Sequence, residues 1–167
     1  MKKLKVLLPL PILFIVLISC SKDDIQNDVG YQEANYTFYK SANLFSEAEN
    51  NRSAEYSKEF KILSVVRVSN KLKIKVSYTG SCDNNKFYII WSGAIMESWP
   101  MQTIFFVKRS AENCKNDNKI FEETLVVDLK KFMGDGLDIE NTVFHVCNGS
   151  VEEGDPNDVV STSVTNN

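Results

Sequence analysis

Histidine occurs once in this 167-residue chain, at His145. A catalytic triad or an imidazole-based metal centre therefore has one position to be built on and no second imidazole to complete it. Lysine and arginine form no dense cluster in the body of the chain, and acidic residues outnumber basic ones 22 to 19. Nucleic-acid affinity rests on counterions displaced by clustered basic side chains, so this balance argues against a nucleic-acid partner. A phosphate cradle is missing too: Gly134-Asp135-Gly136 is not followed by Lys-Ser or Lys-Thr and reads as a turn. The adjacent carboxylates Glu122-Glu123 and Glu152-Glu153 cannot clamp one glycosidic bond, because neighbours along a strand point to opposite faces. Asp155-Pro156-Asn157-Asp158 offers oxygens suited to calcium but lacks the glycine and distal glutamate of an EF-hand loop, and it also reads as a turn. No cofactor or metal is expected, and no internal repeat is present.

What the chain does have begins at its N-terminus. Lys2, Lys3 and Lys5 precede an apolar run over residues 6–18 that ends in Leu17-Ile18-Ser19-Cys20. The run is shorter than the roughly 20 residues of a membrane-spanning helix and suits a removable signal. Leu17-Ile18-Ser19-Cys20 resembles the lipobox of bacterial lipoproteins, which implies cleavage after residue 19 and lipidation of Cys20. Several acyl chains, at about 0.8 kcal/mol per buried methylene, hold a protein on a bilayer with no spanning helix. Ser21-Lys22-Asp23-Asp24 resembles the export signal of surface lipoproteins in Bacteroidota, which implies display on the outer face of the outer membrane. The alternative reading is an ordinary charged tether facing the periplasm.

Removing residues 1–19 takes three lysines and leaves 148 residues with 16 basic and 22 acidic side chains, a net charge of −6. That acidity keeps an envelope protein soluble without naming a ligand. With Cys20 assigned to lipid, Cys82, Cys114 and Cys147 remain for an oxidising compartment. The favoured bridge joins Cys82 to Cys114, both in polar, turn-rich segments flanking one block of strands; Cys82 with Cys147 is the competing pairing. Closing such a loop is worth roughly 3 to 4 kcal/mol on the chain-entropy account. Cys147 lies in a strand-like run, where a small buried thiol is the ordinary expectation.

Strand signals dominate the rest. Leu72, Ile74, Val76 and Tyr78 alternate with Lys71, Lys73, Lys75 and Ser77, a clean period of two. Residues 62–68 precede this run across Ser69-Asn70, so the two form an antiparallel hairpin with outward lysines. Further aromatic and β-branched runs cover residues 87–91, 103–107, 120–128 and 142–147. The expected fold is all-β, a small antiparallel β-sandwich of immunoglobulin-like architecture, stapled by a disulfide, with a barrel as the other option. The expected division is a signal peptide at 1–19, a flexible tether at 20–35, a strand or loop segment at 36–59 and the sandwich at 60–150. Residues 151–167 are read as a polar tail or an edge strand.

The block over residues 78–129 resembles a pattern of small bacterial lipoproteins and secreted domains with no activity attached. It is carried by Gly80-Ser81-Cys82, Phe87, the run Glu97-Ser98-Trp99-Pro100-Met101-Gln102, Cys114 and Glu123-Thr124-Leu125. Where that pattern commonly has a histidine three residues after the first cysteine, this chain has Asn85, which leaves the disulfide reading and removes a Cys–His metal site. Trp91, Met96, Trp99 and Met101 form the candidate contact surface, against the alternative that large aromatics cap the sandwich core. His145 and Cys147 share a strand face, but side chains two apart on one strand diverge, and a thiol enzyme is the weak reading. These residues point to a lipid-anchored envelope protein that works by contact, not catalysis. The partner would be an envelope protein, a glycan or a host surface. The rivals are a periplasm-facing assembly lipoprotein, a proteinase inhibitor presenting residues 97–102, and a thiol hydrolase.

Overall fold

The computed structural model describes residues 30–162. Nine strands and two short helices occupy that stretch: β1 (Gly30–Gln32), β2 (Tyr36–Lys40), α1 (Ala42–Asn50), β3 (Lys61–Val68), β4 (Lys71–Thr79), β5 (Asp83–Trp91), β6 (Met101–Glu112), β7 (Ile120–Asp128), α2 (Leu129–Met133), β8 (Thr142–Asn148) and β9 (Val159–Ser161). They form an all-β sandwich of a six-stranded sheet, ordered β1-β2-β5-β6-β8-β9, against a three-stranded sheet, ordered β3-β4-β7. The expected signal peptide at 1–19 and the expected lipidation at Cys20 fall outside the described residues.

The period-two run becomes the central strand of the small sheet. Leu72, Ile74 and Val76 are fully buried while Lys73 and Lys75 face solvent. The hairpin expected across Ser69-Asn70 pairs Val68 with Lys71, and Ser69 takes the positive φ of 53° that a two-residue turn demands. Against these residues the large sheet presents Phe38, Phe87, Ile89, Trp91, Phe105, Val107, Phe144 and Val146, and the two inner faces make one core. Leu129 and Phe132, one helical turn apart on α2, close its side, with Phe132 stacked on Phe38 at 4.2 Å between ring centroids.

Pairing in the large sheet corrects the expectation of antiparallel strands throughout. β2 runs parallel to β5, and β6 runs parallel to β8. Parallel neighbours need a crossover connection, because a tight turn cannot reverse the chain and keep its direction. Here the crossovers are the second sheet itself: α1, β3 and β4 join β2 to β5, while β7 and α2 join β6 to β8. The six-and-three strand count and these parallel pairs distinguish the order from that of an immunoglobulin domain.

The folded part also extends beyond residues 60–150. β1 lies within the stretch read as tether, and β2 buries Tyr36, Thr37 and Phe38 in succession beside β5. At the other end β9 pairs with β8 as an edge strand. Residues 42–50 form α1, which overlaps the stretch 46–58 that reads from sequence as loop or a short helix but starts four residues earlier. The Ser41 side chain caps it by accepting from the Leu44 N–H at 3.1 Å. Its apolar side, Leu44, Phe45 and Ala48, covers Ile90, Phe106 and Cys147 on the outer face of the large sheet.

Candidate functional site

The chain leaves β5 at Trp91 and returns as β6 at Met101, so residues 92–100 form a loop at one end of the sandwich. Gly93 opens it at φ +89°, a conformation that favours glycine. Met96 and Gln102 then pair their backbones in both directions, at 2.8 and 3.2 Å. The Ser98 hydroxyl donates to the Pro100 carbonyl at 2.6 Å and accepts from the Gln102 side-chain amide at 3.2 Å. Gln102 Oε1 lies 2.9 Å from His145 Nε2, and His145 Nδ1 lies 2.7 Å from Ser161 Oγ. The tip is therefore braced from β6 through β8 to β9. Burial holds the His145 pKa below its ordinary value, so the ring is neutral at physiological pH and serves as a strut.

On this scaffold the four residues read as a contact surface separate. Trp91 is only 2 % exposed and belongs to the core, which corrects its assignment to a surface. Its position on β5 follows Phe87 and Ile89 by steps of two, so it shares their inward face, and its indole N–H donates to Thr103 Oγ1 at 2.9 Å. Trp99 is 82 % exposed, Met96 is 44 % exposed and Met101 is partly buried. Of the four, Trp99, Met96 and Met101 remain as the candidate contact surface, on a hydrogen-bonded loop.

The opposite end of the sandwich is closed by covalent and polar ties. Cys82 and Cys114 are disulfide-bonded, across a sequence separation of 32 residues. Gly80 beside them has φ +92°, and a Cβ there would meet the Lys115 carbonyl oxygen at 2.7 Å, so this approach admits only glycine. Beneath them Arg109, 4 % exposed, spends its guanidinium on Asn85 Oδ1 at 2.7 Å, the Glu59 carbonyl at 3.1 Å and Cys82 Sγ at 3.3 Å. Its flat face lies 3.9 Å from the Tyr78 ring centre. Tyr78 donates its hydroxyl proton to Glu123 Oε1 at 2.5 Å, and Asn85 donates to both that oxygen and the Tyr78 hydroxyl. Burial, then the bond to Glu123 and its charge, push the Tyr78 phenol up to about 12. Sequence reasoning missed Arg109, although the signal was there: it continues the inward parity of Phe105 and Val107 on β6. The network satisfies its own members and ties residues 57–59 to the sheet, the Ser57 hydroxyl accepting from the Arg109 N–H at 2.9 Å.

The remaining candidates fall apart in space. Cys147 is a free, buried thiol beneath α1, and burial raises its pKa to about 11, with Arg52 only partly opposing. A protonated thiol is a poor nucleophile, and both nitrogens of His145 are engaged elsewhere. Glu122 points outward to Lys75 at 2.6 Å while Glu123 points into the Arg109 network, on opposite faces as expected. Asp155 accepts from the Asn157 N–H at 2.7 Å in a turn, and Asp158 forms a buried ion pair with Arg52. No cluster of three or more potential metal ligands occurs among the described residues, and no helix among them is long and apolar enough to cross a membrane. No protein-family model matches this chain, and no match is found among curated proteins or solved structures.

These shifts carry a pH signature. Cys147 and Tyr78 both hold their protons more tightly when folded, so their contribution to stability is complete near neutrality and is lost between about pH 9 and pH 12. Thermal melts taken from pH 7 to 11 should show the midpoint falling above about pH 9. A maleimide probe should leave Cys147 unlabelled in the native protein at pH 7 and label it on denaturation.

Proposed function

We propose that this chain is a lipid-anchored cell-envelope protein that works by contact, with the loop carrying Trp99 as its contact surface. The anchor reading rests on Lys2, Lys3 and Lys5, the apolar run after them and Leu17-Ile18-Ser19-Cys20. The Cys82–Cys114 bridge supports it independently of the leader, since a structural disulfide belongs to compartments outside the cytosol. The contact reading rests on one observation above the others: a tryptophan 82 % exposed on a loop braced by Ser98, Gln102 and His145. Large apolar side chains held rigidly in solvent mark interaction sites, because ordering them costs little further entropy on binding.

Metabolic labelling with a palmitate analogue tests the anchor: the wild-type chain takes up label and Cys20→Ser does not. Protease added to intact cells then separates surface display from a periplasm-facing role. Digestion supports the former, on which Ser21-Lys22-Asp23-Asp24 bears; protection supports the latter.

A further inference from the structure

The partner of the Trp99 loop follows from where the chain enters the sheet. β1 runs antiparallel to β2 with Gly30 opposite Tyr39, and β2 runs parallel to β5 with Tyr39 opposite Ile90 and Lys40 opposite Trp91. Gly30, the first residue of β1, therefore sits one row from the point where β5 gives way to the loop, at that same end of the sheet. Only nine residues lie between Cys20 and Gly30, a reach of at most about 36 Å when fully extended. The opposite, disulfide-bearing end lies the length of β5 away, nine residues or roughly 30 Å. A lipid on Cys20 thus brings the Trp99 end to the bilayer with tether to spare, whereas the disulfide end would need the tether almost straight along the domain.

We infer that the Trp99 loop is a second membrane contact, its indole lying in the headgroup region of the bilayer that holds the acylated Cys20. This rests on the lipid-anchor reading given above. Tryptophan, with an apolar body and one polar N–H, is the side chain that prefers the membrane interface. Its neighbours fit: Met96 and Met101 are apolar, while Ser98 and Gln102 spend their polar groups inside the loop and on His145, so little is left to hydrogen-bond a sugar. Glu97 keeps the tip at headgroup level and out of the hydrocarbon. The net charge of −6 left after residues 1–19 disfavours anionic headgroups, so the surface that fits is zwitterionic.

The test uses the full acylated chain reconstituted into phosphatidylcholine–phosphatidylethanolamine vesicles whose acyl chains carry bromine, a short-range quencher of tryptophan. Flotation with the vesicles reports the anchor separately. The wild-type chain should float and lose up to about half its emission, the share of one of its two tryptophans, while Trp99→Phe should float and lose almost none. A tryptophan placed at the far end in that background, Ile120→Trp with Trp99→Phe, should stay unquenched, Ile120 being 73 % exposed beside the disulfide end. A chain that floats with Trp99 unquenched and open to an aqueous quencher overturns the inference, leaves the anchor standing and frees the loop for a protein or glycan. Quenching at position 120 overturns it as well, and a chain that does not float overturns both readings.

Discussion

Replacing Cys82 and Cys114 together by serine lowers the stability of the folded domain by about 3 to 4 kcal/mol, the loop-closure entropy of a cross-link spanning 32 residues. For a domain of this size that moves the melting midpoint down by roughly 10 to 15 °C. The loss extends past chain entropy, because Cys82 Sγ is one of the acceptors of the buried Arg109 guanidinium. Thermal melts with and without a reductant check the figure: the double variant and the reduced wild type should melt together. A variant that melts within a degree or two of the oxidised protein would show that the bridge contributes little.

The second large effect separates the two tryptophans. Trp91→Ala removes a side chain buried between the sheets, packed edge-on to Phe105 at 6.3 Å between centroids, and takes away the N–H that donates to the Thr103 hydroxyl, which keeps its own bond to the Ala94 carbonyl. The expected cost is about 3 to 5 kcal/mol, as for other buried aromatics cut to alanine. Trp99→Ala removes a ring that sits in solvent and should change stability by less than about 0.5 kcal/mol. Denaturant titrations of both variants check this; equal effects would mean that the indole at position 99 also packs against the domain.

The same two residues show how far sequence reasoning reaches. Counting in twos from Phe87 and Ile89 puts Trp91 inside, so its burial was readable once the strand was recognised, whereas Trp99 stands outside every strand and no parity applies to it. The β3–β4 hairpin was legible because its outer face is solvated and its partner lies two residues away, which imprints alternation on the chain. β2 carries no such imprint. It pairs in parallel with a strand about fifty residues on and buries Tyr36, Thr37 and Phe38 in a row, so only the aromatic run Tyr36, Phe38 and Tyr39 hinted at a first strand, and neither periodicity nor a turn fixed it. The capped α1 is nine residues long and depends on packing over Ile90 and Phe106, a tertiary fact. Arg109 was hidden because the strand was read as ending at Val107; a charge on inward parity marks a buried polar network or the end of a strand, and here it is the former. The bracing of the contact loop by His145 depends on the parallel pairing of β6 with β8, which places Ile104 beside His145 and Gln102 within reach.

Export and acylation at Cys20, proposed above, and the single stapling bridge are tested together by intact-mass analysis of the unreduced protein taken from its native membrane. The expected species begins at Cys20, carries fatty acyl mass there, has Cys82 joined to Cys114 and keeps Cys147 as its one free thiol. A chain that retains residues 1–19, bears no acyl group and has every cysteine reduced would contradict it.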